Sequence, residues 1–222
     1  MMHGNHPYPS IGLFVWLDFG LSGDDLPKYD PEITRTIKSS YEIIIQTLKN
    51  GGKFLDVGCM FAQDVRKLIH DGAPATSVYG TDLHREYFDF GYKLFRDEKI
   101  IPESRFIAAD ILNEGDPGLR GSEGELDVIN ATHLIHVFGL EDQKALIKRF
   151  IRLLKRETGV MVTVRMTGHL QAGYHTGANV KSTTKSGGGI WEHNPESFKH
   201  LWQEVAEETG AKWDVQCWFW RF

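Results

Sequence analysis

Between residues 33 and 48 the apolar residues Ile33, Ile37, Tyr41, Ile44 and Leu48 recur every three or four positions, the stripe of a helix with one buried side. Asp30-Pro31-Glu32 opens it, with Asp as N-cap and Pro at the first helical position, and Asn50-Gly51-Gly52 closes it. Short continuous apolar runs follow, each separated from the next by a helical period. The pattern predicts a strand over 53–57, a helix over about 62–71 and a strand over 77–82. A helix near 85–97 comes next, its inward face carrying Tyr87, Phe90, Gly91, Leu94 and Phe95. Arg105 to Ala109 is a third strand, 115–124 a glycine-rich loop, and Leu126 to Ala131 a fourth strand, apolar apart from Asp127 and Asn130, as in a sheet covered on both faces. A helix over about 140–156 buries Ala145, Leu146, Phe150, Leu153 and Leu154, and 159–166 forms a β-branched fifth strand. Residues 167–194 carry six glycines and little periodicity, the pattern of a long lid or substrate loop or of plain disorder. Asn194-Pro195-Glu196 caps a last helix ending at Gly210, and 212–220 is a final strand.

This βαβ rhythm defines an α/β protein, a doubly wound and mostly parallel sheet with helices on both faces. Residues 1–29, rich in Gly, Pro and aromatics, read as an irregular N-terminal segment, and 30–222 as a single domain. Its 222 residues suffice for one substantial core. A formal charge of −5 supplies no basic field, so nucleic acid is not expected as a partner. Two cysteines, Cys59 and Cys217, make neither a disulfide framework nor a zinc pattern, and no metal is expected. The apolar run Ile11 to Leu17 is stopped by Asp18, and no run approaches the roughly 20 residues that span a bilayer. A cytoplasmic protein without a membrane partner is the expectation.

The chemistry concentrates at the strand ends. Phe54-Leu55-Asp56-Val57-Gly58-Cys59 and Val78-Tyr79-Gly80-Thr81-Asp82 each run from apolar residues into an acid. Right-handed crossovers carry Asp56, Asp82, Asp110 and Asn130 to one edge of the sheet. An acid after the second strand is placed to accept both ribose hydroxyls of a nucleoside. A dinucleotide loop would read Gly-x-Gly-x-x-Gly; here its positions are Gly58, Met60 and Gln63, so no pyrophosphate is cradled. A nucleoside without phosphates and with a cationic tail, which Asp56 helps to hold, describes S-adenosylmethionine (SAM). Met60 and Gln63 fall near its methionine part, Cys59 fills the loop between them, Leu83 follows Asp82, and Asp110 with Ile111 takes the adenine.

Leu55-Asp56-Val57-Gly58, Gly80-Thr81-Asp82, Ala109-Asp110-Ile111 and the polar segment after strand four resemble the class I SAM-dependent methyltransferases. A narrower set is similar to fungal secondary-metabolite methyltransferases of the austinol and terretonin kind. It comprises Phe61-Ala62-Gln63-Asp64-Val65-Arg66-Lys67-Leu68, Asp71-Gly72-Ala73-Pro74, Gly91 to Asp97, and His136-Val137-Phe138 with Asp142-Gln143. That resemblance implies methyl esterification of a carboxylic acid on a polyketide- or terpenoid-derived small molecule. Nitrogen, carbon or phenolic oxygen as acceptor, and a non-catalytic SAM-fold binding protein, are the alternative readings. The resemblance further implies a closing antiparallel hairpin, of which only 212–220 is present, so the sheet is expected to lack its last strand. An edge left unpaired there would weaken the fold or leave it needing a partner chain, such as a second copy in a homodimer.

Candidate catalytic residues are His133 and His136, one helical turn apart after strand four, where a histidine can orient or deprotonate an acceptor. Arg165, at the end of strand five, suits bidentate pairing with a substrate carboxylate. Tyr8 and Trp16 are candidate walls of an apolar substrate pocket.

Overall fold

The computed structural model describes residues 10–18, 31–175 and 189–220. The elements run β1 (Ser10–Asp18), α1 (Pro31–Lys49), β2 (Phe54–Val57), α2 (Gln63–His70), β3 (Val78–Asp82), α3 (Glu86–Phe95) and β4 (Phe106–Ala108). They continue with β5 (Val128–Thr132), α4 (Leu140–Leu153), β6 (Met161–Thr167), β7 (Gly173–His175), β8 (Ile190–Glu192), α5 (Pro195–Thr209) and β9 (Lys212–Trp220). Among the described residues, seven strands form one sheet in the order β4-β3-β2-β5-β6-β1-β9, and every pairing in it is parallel. The chain steps outward from β2 to β4, then returns to place β5 on the other side of β2. That reversal is the switch point at which open α/β sheets hold their ligands, beyond the strands' C-terminal ends.

Period-two alternation divides the core between the two faces. Phe54, Val78, Val128 and Met161 pack with Ile44, Leu48, Val65, Leu68 and Phe88 of the helices on one side. Their neighbours Leu55, Ile129, Val162 and Val164 pack with Leu146, Phe150, Phe198 and Trp202 on the other. Helix α5 starts with a full capping box between Asn194 and Ser197 and ends at Gly210, whose φ of 70° is the left-handed C-terminal position.

Four expectations are corrected. The segment 1–29 is not irregular throughout: Ser10–Asp18 is a central strand, with Val15 paired to both Val164 and Cys217. The same strand changes the expectation of a sheet missing its last strand. The slot between β6 and β9 is filled by β1, in parallel, so no gap is left there for a partner chain to close. An unbroken apolar run suits a position with neighbours on both sides. On α3, Phe88 and Gly91 are buried while Phe90, Leu94 and Phe95 stand 50, 64 and 43 % exposed. The helix turns that way because Phe88 stacks on Phe106 of β4, ring centroids 5.3 Å apart. Finally, 167–194 is not wholly a loop: β7 and β8 pair antiparallel, Gly173 opposite Glu192.

Candidate active site

At the switch point the chain leaves β2 through a tight loop. Gly58 has φ of 72°, a conformation that glycine adopts without strain, and a Cβ there would lie 2.9 Å from Leu134 Cδ1, which would have to shift. The N–H groups of Gly58 and Cys59 both donate to the Thr81 carbonyl, at 2.8 and 3.1 Å. Met60 and Ala62 then adopt left-handed φ values of 47° and 54°, and His133 across the cleft has 55°. Each such non-glycine residue costs about 1–2 kcal/mol, and two of them, Met60 and His133, line one cavity, where strain is commonly held for function.

Asp82, at the end of β3, is 8 % exposed. Its Oδ2 accepts from Met60 N at 2.9 Å and its Oδ1 from His84 N at 3.1 Å. Each carboxylate oxygen keeps a lone pair for a hydroxyl donor. Beyond β4, Asp110 Oδ1 accepts from Leu112 N at 3.0 Å, and Asp110 N donates to Asp116 Oδ2 at 3.0 Å. Between these strand ends and the segment after β5 lies a cavity of about 440 Å³. Of the residues singled out from the sequence, Gly58, Met60, Asp82, Leu83, Asp110, Ile111 and His133 line it. Sequence reasoning missed Thr132, Leu134, Val137, Phe138 and Asp142 on the opposite wall, and Tyr87 on α3. Phe138 and Asp142 fall in segments singled out by the resemblance, which was the available signal.

Other candidates stand elsewhere. The side chain of Cys59 packs away from the cavity, its Sγ so close to Gly80 that a Cβ there would lie 2.8 Å from it. Burial, with Asp56 adding, pushes this thiol far above its ordinary range. Gln63 is exposed at the start of α2 and does not line the cavity. Asp56 and Asn130 lie behind the cavity wall in a polar cluster. Asn130 Nδ2 donates to Asp56 Oδ1 at 2.8 Å and, more weakly, to Asp64 Oδ2 at 3.4 Å, while Thr163 Oγ1 donates to Asn130 Oδ1 at 2.8 Å. Burial raises the carboxyl of Asp56 well above the usual range, with the charges of Asp64 and Asp82 adding. Asp64 is raised too, mainly by burial, although Asn130, Arg165 and His133 oppose the shift. Asp64 was not singled out from the sequence as a site residue; its place in the first turn after a glycine loop, within a segment that carries the resemblance, was the available signal. Arg165 is exposed and does not line the cavity, its carbonyl accepting from His133 N at 2.6 Å.

His136 also sits behind the wall. Its Nδ1 accepts weakly from Thr167 N at 3.4 Å, and burial, with His133 adding, lowers it to about 4. It is therefore neutral near neutral pH, and His133, with its ring centroid 6.0 Å away, is the histidine at the cavity. Tyr8 lies outside the described residues; Trp16 is described as β1 backbone, paired with Arg165 and Trp218.

The rim beside Phe138 is anchored by Gln143, which is fully buried. Its Nε2 donates to the carbonyls of Phe138 at 3.0 Å and Trp191 at 2.8 Å. Its Oε1 lies 3.0 Å from His193 Nε2, and His193 Nδ1 lies 2.8 Å from Ser197 Oγ. One buried amide thus ties the cavity wall to the β7–β8 hairpin.

The methyltransferase domain family matches residues 54–157. The O-methyltransferase atr3 of Stereocaulon alpinum is 39% identical over 212 residues, 96% of this chain and 56% of that protein. The methyltransferase ausD of Penicillium brasilianum is 34% identical over 96% of this chain and 69% of its own length. The asnovolin E/chermesin D methyltransferase nvfJ of Aspergillus novofumigatus has the same identity and coverage. Among solved structures, the cyclase SpnF superposes with a TM-score of 0.52 at 16% identity, over 77% of this chain and 58% of that one, a likeness of fold alone. The chain belongs to the class I SAM-dependent methyltransferases. SAM is the cofactor of that class, and the relatives named here are fungal enzymes. The chain spans between 56% and 69% of the length of these curated relatives.

Proposed function

We propose that this chain binds SAM in the 440 Å³ cavity and transfers its methyl group to a carboxylate oxygen of a small, largely apolar polyketide- or terpenoid-derived molecule. The observation that carries the cofactor reading is Asp82: a nearly buried carboxylate, held from both sides by backbone N–H groups and still open to the cavity. It would take the ribose hydroxyls, with Asp110 and Ile111 at the adenine and the Gly58–Met60 backbone along the methionine part. The sulfonium supplies the activated methyl group and leaves as a neutral thioether. What remains for the protein is alignment and exclusion of water, and alignment alone can be worth roughly 7–11 kcal/mol. Leu134, Val137 and Phe138 offer the apolar wall for that purpose. A carboxylate acceptor is already ionised at neutral pH and requires no base, so His133 would orient it. The names of the fungal relatives support methyl transfer, and for atr3 transfer to oxygen.

His133 at the cavity wall favours one second reading, a phenol or alcohol acceptor that this histidine deprotonates. Calorimetric titration with S-adenosylhomocysteine (SAH), comparing wild type with Asp82→Ala, tests the cofactor site. Loss of one charge-assisted hydrogen bond of about 1.5–3 kcal/mol weakens binding roughly ten- to a hundredfold. Incubation with SAM and panels of aromatic and terpenoid acids and of phenols and alcohols, read by mass spectrometry, tests the acceptor. Ester products are cleaved by mild base and ethers are not. No SAH binding by the folded wild type would overturn the cofactor reading; turnover of phenols or alcohols but of no acid would favour the second reading, and binding with no methylated product from either class a non-catalytic role.

A further inference from the structure

Arg66 lies in the first turns of α2 and is 8 % exposed. Its Nε donates to Asp97 Oδ2 at 2.7 Å and its Nη2 to Asp97 Oδ1 at 3.1 Å, a bidentate pair. The remaining nitrogen, Nη1, donates to the carbonyl of Phe61. The guanidinium carbon sits 4.7 Å from the ring centroid of Phe95, 5.2 Å from Phe106 and 5.4 Å from Tyr92. Helix α3 passes so close at Gly91 that a Cβ there would fall 2.9 Å from the Phe61 oxygen and 3.1 Å from Arg66 Nη1. Phe61 is the residue between the two left-handed positions, Met60 and Ala62. Met60 N is in turn one of the two donors that hold the Asp82 carboxylate.

We propose that Arg66, fixed by Asp97, is a positioning residue for the cofactor. Its hold on the Phe61 carbonyl keeps the left-handed Met60 and Ala62 in place. Met60 can then present its N–H to Asp82 and its backbone to the cavity. Arg66 itself touches neither the cavity nor the cofactor. Only arginine meets the geometry, because a planar fork serves both oxygens of Asp97 while a third nitrogen reaches the loop carbonyl. A lysine keeps the charge and loses the third contact. The assignment rests on the reading of the cavity as the SAM site.

The test uses SAH as probe and the full chain as wild type, Arg66→Lys and Gly91→Ala. Calorimetric affinity is measured well below each melting temperature, so that unfolding does not contribute. Arg66→Lys is expected to weaken SAH binding about tenfold, the loss of one loop anchor. Gly91→Ala keeps the arginine and crowds both the Phe61 carbonyl and the guanidinium that holds it; a loss of several-fold is expected there too, and it carries the test should Arg66→Lys not fold. A purely structural role for Arg66 would lower the melting temperature and leave the affinity of the folded protein unchanged. Affinities within twofold of wild type in the folded variants would overturn the clamp while leaving the cofactor site standing. Failure of the wild type to bind SAH would overturn both.

Discussion

Mild acidification should loosen the rim of the cavity through His193. This imidazole is 1 % exposed, and its Nε2 faces the side-chain oxygen of Gln143 at 3.0 Å. An amide oxygen only accepts, so Nε2 carries the proton and Nδ1 accepts from the Ser197 hydroxyl. Burial lowers its pKa from 6.5 to about 4. The folded protein therefore keeps His193 neutral down to about pH 4, whereas the unfolded chain takes up a proton below about pH 6.5. Its stabilising contribution is complete above the upper value and is lost as pH falls towards the lower one. At about pH 5 the linkage amounts to about 2 kcal/mol per histidine, a sizeable part of a domain's roughly 5–15 kcal/mol. His136, also lowered to about 4, acts with the same sign. Asp56 and Asp64 have raised pKa values and act in the opposite sense, their contribution being lost as pH rises. The wild-type slope alone is thus a sum, and His193→Gln isolates one contributor. Urea unfolding at pH 7 and pH 5 should show wild type losing about 2 kcal/mol more than the variant between the two conditions. Equal losses in the two proteins would refute the reasoning.

Three further outcomes follow from other parts of the molecule. Val15→Pro should destabilise the protein by about 3 kcal/mol or more in urea unfolding, because a central strand loses a ladder hydrogen bond. A near-neutral result would contradict the pairing of Val15 with Val164 and Cys217. SAM binding should release protons, since a cation brought near the buried Asp56 and Asp64, whose carboxyls burial holds above the usual range, favours their ionised forms. Calorimetry in two buffers of different ionisation enthalpy measures this, and affinity should weaken as pH falls. Arg96→Gly should raise the melting temperature by about 2–4 °C for each kcal/mol of relieved strain, because Arg96 closes α3 at φ of 56° where glycine is unstrained.

The sequence by itself determined the strands and their chemistry. Apolar runs ending at Asp56, Asp82 and Asp110 specify buried parallel strands that deliver acids to one edge, and Gly58 specifies a loop that leaves room for Leu134. Those features are local: side-chain period, backbone sterics and caps act over a few residues. The orientation of α3 was not local. Phe88, Phe90, Leu94 and Phe95 make it apolar on more than one side, and contact with Phe106 on a different strand decided which side is buried. The run Ile11 to Leu17 carried the composition of a strand, but nothing near it in the chain supplies its partners. They are β6 and β9, brought together only once the sheet exists. The same holds for the groups that shape the site without touching it. Asp64 meets Asn130, Gln143 meets Trp191 and His193, and Arg66 meets Asp97 across long stretches of chain. Tertiary structure decided these because a buried polar group is stabilised by whichever partner the packed fold brings within hydrogen-bond reach, and sequence spacing does not set that distance.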